Sequence, residues 1–175
     1  IDLLLEQFRS PDPARQALAA RVSREIQDPA VSRALAGELP RALPEVQVLM
    51  LRCLADRPDR NVHAAVESLV QSPVAEVRLA SLETLGAVGD ASSVPVLLKA
   101  AASTDAPREA EAATDSLVRL PGADLDPLIV AALDQAATDT LPRLIAVVGR
   151  RHTRSATPKL LQLTAHPDAA VARAS

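Results

Sequence analysis

The sequence has no Trp and no Tyr, and Phe8 is its one Phe. Proteins that hold single-stranded nucleic acid stack bases on aromatic side chains, so this chain lacks their platform. Its formal net charge of −3 removes the basic surface that nucleic acid also needs. The single Cys excludes an internal disulfide framework and a multi-Cys metal or iron–sulfur site, and fits a reducing or an oxidising compartment. Five Gly in 175 residues are too few for a turn-dense sandwich or barrel. No apolar run approaches the ~18–20 residues of a membrane span. There is no Cys-x-x-Cys-His, no Gly-rich phosphate loop and no Gly-x-Ser-x-Gly elbow.

What remains is a helix-former's composition. About one residue in five is Ala and about one in seven is Leu. The 14 Pro residues must then sit at helix boundaries, because Pro is tolerated in the first turn and breaks an interior. Three of them open apolar runs: Pro95 before Val96-Leu97-Leu98, Pro127 before Leu128-Ile129-Val130, and Pro158 before Lys159-Leu160-Leu161. Their interval is nearly constant, at about 31–32 residues. One interval before Pro95 stands His63, ahead of Ala64-Ala65-Val66, and one interval before that stands Val31. Each marker predicts the start of a second helix, with Val66, Leu98, Val130 and Leu161 as its apolar anchors. Between the markers run longer first helices, most opening beside Pro. Val48, Leu51 and Leu54 recur one interval later as Leu79, Leu82 and Leu85, and Leu117, Leu120, Ile145 and Val148 continue the face. Turns such as Gly86–Asp90 and Leu120–Asp124 join the two helices, with Gly expected to close the first.

A fixed period of about 31–32 residues, each unit unable to bury its own apolar face, predicts an α-solenoid of antiparallel helical hairpins. The repeats fall at about 10–40, 41–72, 73–104, 105–136 and 137–166, with a partial copy at 167–175, in one array over 1–175. The partial copy repeats the manner of Ser72–Ser81 and stops before the residues matching Leu82 and Leu85. With Ile1 in place of Met, this predicts a piece of a longer chain whose cut ends expose apolar faces and invite self-association.

The best copy carries Val77, Arg78, Ala80, Leu85, Gly86, Gly89, Asp90, Val94, Pro95 and Leu98. In these places it resembles a bacterial HEAT-like repeat: Val-Arg entering the first helix, Leu-Gly ending it, Gly-Asp in the turn and Val-Pro-x-Leu opening the second. The resemblance implies a right-handed superhelix with second helices on the concave side. It implies no single function, since such repeats are scaffolds. The leading reading is a non-catalytic protein- or peptide-binding module of a larger protein. The alternatives are a solenoid beside a carbohydrate-processing or electron-transfer domain, and a bilin lyase-like HEAT protein.

Residues at constant offsets from the Pro marker are expected to face a partner: Glu67, Lys99 and Gln162 four residues on, Gln71, Ser103 and Gln135 eight residues on. Short and mildly charged, they suit an extended peptide or a helix. A second candidate is the basic turn containing Arg150, Arg151 and Arg154, since clustered guanidiniums suit carboxylates; a solvated turn near a helix C-terminus explains the same charge. His63 and Glu67 share a helix face but lack further converging ligands, and there is no His-Glu dipeptide of the kind HEAT-like metal hydroxylases carry. HEAT-like DNA glycosylases surround a base with aromatics, which Phe8 alone does not supply. Cys53 has no His near it in sequence and reads as a small buried thiol. No catalytic residue, metal or cofactor is implied.

Overall fold

The computed structural model describes residues 1–57 and 59–175. Among them every regular element is helical, and the chain forms two compact units, Ile1–Gly89 and Asp90–Ser175. The first holds α1 (Asp2–Arg9), α2 (Pro13–Glu25), α3 (Pro29–Glu38), α4 (Pro44–Ala55), α5 (His63–Glu67) and α6 (Ala75–Val88). The second holds α7 (Val94–Ala101), α8 (Pro107–Arg119), α9 (Asp126–Ala132), α10 (Leu141–Arg150), α11 (Thr157–Leu163) and α12 (Ala169–Ala174). Each unit has two layers. In the first, α2, α4 and α6 pack in succession, and α1, α3 and α5 form the other row. In the second, α8, α10 and α12 form the longer row, and α7 and α9 the shorter. This is the all-α solenoid architecture that the periodicity predicts.

The helix starts are written locally. Pro13, Pro29, Pro44 and Pro107 occupy the first helical position, where a missing N–H costs nothing. Asp28, Asp59 and Asp90, each one repeat after the last, accept an amide hydrogen two residues on, at 2.8, 3.0 and 2.8 Å. The last two cap the 3-10 turns that lead into α5 and α7. Another series of the same period joins consecutive helices. Gln16, Gln47 and Arg78, all at the fourth position of a first helix, donate to the Ser10, Leu39 and Ser72 carbonyls at 2.8, 2.8 and 2.9 Å. The Ser10 and Ser72 carbonyls stand just past the preceding helix or its 3-10 extension, where no intrahelical donor reaches, whereas that of Leu39, at the junction of α3 and its 3-10 turn, also accepts from the Ala42 amide at 3.3 Å. Arg78 is thus a staple between elements, which explains why the repeat wants a long donor there.

The core follows the expected first-helix face. Leu51, Leu54, Leu82, Leu85 and Leu117 are fully buried, and Leu120, Ile145 and Val148 nearly so, while Val48 and Leu79 are half-buried at its edge. Local expectations about helix ends and register are corrected. Gly86 lies inside α6, and Gly89 ends that helix at φ −70°, so no left-handed glycine closes it. Among the described residues the left-handed ones are Gly122 and, unusually, His152 at φ 55°. His152 closes α10 with paired bonds: its own amide donates to the Gly149 carbonyl and the Thr153 amide to that of Val148, at 3.0 and 3.1 Å.

The second-helix register is also off, by one residue in three copies and by two at Val31, the third residue of α3. His63 is the first helical residue of α5, whereas Pro95, Pro127 and Pro158 are second in α7, α9 and α11. The equivalent starts are therefore His63, Val94, Asp126 and Thr157. The buried anchors are Val66, Leu97 and Ile129, each fully buried. Leu98 and Val130 are only half-buried, and Leu161 is 67 % exposed. In α5 the geometry departs further. The Ser81 hydroxyl donates to the Val66 carbonyl, which an α-helix would offer to residue 70, and the chain continues as a 3-10 helix over Ser68–Gln71.

Candidate functional site

The expected basic patch is dismantled by its own side chains. Arg150 pairs with Asp115 at 2.7 Å in solvent. The Arg151 side chain is 7 % exposed and donates inward, to the carbonyls of Leu117, Leu120 and Gly122 at 2.7, 2.7 and 2.8 Å and to Asp126 Oδ1 at 2.9 Å. It caps the C-terminal end of α8, whose last carbonyls have no intrahelical donor. Gly122 sits in this turn at φ +122°, a backbone conformation that residues with a Cβ rarely adopt. Arg154 is left exposed. As a three-guanidinium anion site the cluster fails, because one member is a buried staple and a second has its carboxylate.

Arg57 does the same work in the first unit. It is 8 % exposed and donates to the carbonyls of Ser23, Ile26 and Asp28 and to Ser32 Oγ. The partners lie 34, 31, 29 and 25 residues before it, and those of Arg151 on Leu117, Leu120, Gly122 and Asp126 lie at the same four separations. Both arginines stand six residues ahead of a second helix, at positions taken by Val88 and Leu120 in the intervening copies. The spacing of Arg57 and Arg151 by three whole repeats was the signal available in the sequence, together with the Asp28/Asp59/Asp90 series.

The polar ladder divides in the same way. Lys99 and Gln135 come together on an open groove of ≈ 490 Å³ in the second unit, formed by the ends of α7 and α9, the loop after α9 and the start of α10. Leu98, Ala102 and Leu144 give it an apolar side, and Thr104, Asp139 and Thr140 a polar one. Arg143 on α10 donates to the Ala101 carbonyl and so holds two of the walls together. Gln162 is exposed on α11, outside the groove lining, and Ser103 is half-buried in the turn after α7. Glu67 and Gln71 lie on α5 and its 3-10 extension, one residue out of step with Lys99 and Ser103 once the helix starts are aligned. The groove offers one lysine, one carboxylate and amide and hydroxyl groups around short apolar side chains. It can hold a chain segment by hydrogen bonds and modest apolar contact.

The remaining candidates carry structure. Cys53 is fully buried with Sγ 3.7 Å from the Ala20 carbonyl, and burial pushes its thiol above the ordinary range. His63 Nδ1 is 2.8 Å from the Arg60 carbonyl. Among the described residues no group of three or more His, Cys, Asp or Glu is arranged to hold a metal ion, and no helix is long and apolar enough to cross a membrane.

Residues 32–118 match the family described as HEAT repeats. No curated protein matches the chain. Among solved structures it is similar to a chain in the complex of CpcE and CpcF of phycocyanin lyase from Nostoc sp. PCC7120. The two share 19 % identity, with a TM-score of 0.59 over 98 % of this chain and 73 % of that one.

Proposed function

Because the chain carries HEAT repeats in an all-α solenoid fold, we propose that it is a non-catalytic scaffold that binds another protein through an extended or helical segment. The repeat boundaries of the sequence reading are part of this proposal. The observation that carries it is the groove of the second unit, where Lys99 and Gln135 stand beside the apolar Leu98, Ala102 and Leu144. HEAT-type repeats present such rows as binding surfaces, and a concave site with few charges suits a peptide better than a nucleic acid backbone. The test is site-specific photocrosslinking in native lysate, with the crosslinker at Gln135 and, as control, at exposed Glu111 on α8. A defined protein captured from Gln135 and absent from Glu111 supports the reading. Capture from both alike, or loss of capture on Arg154→Glu but not on Lys99→Glu, places the surface elsewhere.

A lyase-type reading is favoured by one observation, the likeness in fold to a subunit of a phycocyanin lyase. It is tested by adding a linear tetrapyrrole to the purified protein and following visible absorption. A saturable spectral change that transfers to an acceptor protein would replace the scaffold reading.

A further inference from the structure

The second unit repeats the first at a fixed interval. α2 and α8 each open on a Pro and run for 13 residues, from Pro13 and from Pro107. α5 and α11 begin at His63 and Thr157, and α6 and α12 at Ala75 and Ala169. The core residues Leu51 and Leu54 of α4 correspond to Ile145 and Val148 of α10. Each of these pairs, like Arg57 and Arg151, stands 94 residues apart. Carried back over the same interval, the groove of the second unit falls on a hollow of ≈ 410 Å³ in the first, and eight of the eleven residues lining one have counterparts lining the other. They are one site, present once in each unit. The two copies differ in bulk at two places. Phe8, the one aromatic residue of the chain, is fully buried where the second unit has the exposed Ala102. Glu38, paired with Arg9, is buried where the second unit has the half-buried Ala132.

We propose that the groove of the second unit seats an aromatic side chain presented by the partner's segment, at the place where the first unit carries its own Phe8. This rests on the scaffold reading and names what the scaffold holds. The seat has surface to offer: Ala102 is exposed, and Leu98, Ala132 and Ala136 are half-buried. With Ala in place of Phe and of Glu, the groove is also the larger of the two, at ≈ 490 Å³. Covering such apolar surface with a flat ring removes both from water, and an aromatic side chain buries more area than any aliphatic one. Charge does not select the ligand, because the lining holds one lysine, Lys99, and one carboxylate, Asp139. The matching segment is therefore neutral and is chosen for bulk, which is the property that the second unit lacks and the first supplies from within.

The probe is N-acetyl-L-phenylalaninamide, titrated to millimolar concentration into the isotope-labelled whole chain and followed by methyl NMR. Saturable shifts are expected at the methyl groups of Leu98, Ala102, Ala132 and Ala136, and none with N-acetyl-L-alaninamide. Ala102→Phe, at an exposed position, should occupy the seat from within and weaken binding about tenfold or more. Glu111→Phe on α8 should leave it unchanged, and circular dichroism checks that both variants keep their helices. The titration of the unmodified chain carries the test even if a variant fails to fold. The inference is overturned if these methyl groups do not respond, if the alanine amide moves them equally, or if a folded Ala102→Phe binds as before. Capture of a protein from a crosslinker at Gln135 that persists in Ala102→Phe also overturns it and leaves the scaffold reading standing, whereas no capture from Gln135 in the unmodified chain overturns both.

Discussion

Replacing Arg151 by Met keeps the length and apolar stem of the side chain and removes every donor. The carbonyls of Leu117, Leu120 and Gly122 then lose bonds of 2.7–2.8 Å, and Asp126, 19 % exposed, loses its counter-ion. Each stranded carbonyl costs roughly 1–3 kcal/mol where water cannot reach it, and breaking a buried ion pair from one side costs roughly 3–5 kcal/mol. These penalties overlap, because water enters once the guanidinium is gone, so the expected loss is about 3–5 kcal/mol. Arg150→Met is the internal control. Its pair with Asp115 is about half exposed on both sides and is worth at most ~1 kcal/mol. Without Trp or Tyr the unfolding must be followed by far-ultraviolet circular dichroism in a urea titration. Hydrogen exchange then locates the damage, which should appear in α8 and α10 and spare Ile1–Gly89. Should Arg151→Met fall within about 1 kcal/mol of Arg150→Met, the staple contributes no more than a surface charge and the argument fails.

Leu82 is fully buried on α6, and Leu82→Ala should cost about 2–5 kcal/mol in the same titration, against a near-neutral Glu111→Ala; a loss below about 1 kcal/mol would show that the helix phase is misassigned. The hydrogen bonds from Arg9 hold the Glu38 carboxyl below its ordinary range in spite of burial. Its folded pKa is thus lower than its unfolded one, so its contribution is complete above about pH 4.3 and is lost as pH falls through the folded value. Glu38→Gln should therefore destabilise the protein at neutral pH, by an amount that shrinks as pH falls below about 4.3; an offset that stays constant on acidification would contradict the pairing.

By itself the sequence determined that the chain is helical, repeats at a near-constant interval and buries the face carrying Leu51, Leu54, Leu82, Leu85 and Leu117. These are local properties: Pro and Asp act within one turn, and the helical period is read along one helix. Tertiary structure decided what local chemistry leaves open. Pro sits equally well at the first or second helical position, so Pro95, Pro127 and Pro158 did not reveal that Leu97 and Ile129 face inward while Leu161 faces water. Only packing between the rows chose the phase. Nor does a charged residue announce that it is buried. Arg57 and Arg151 look like surface charge because their partners lie 25–34 residues back, on the end of the preceding hairpin. Which carbonyls a guanidinium reaches is a distance through space, and that distance exists only once the hairpins have stacked.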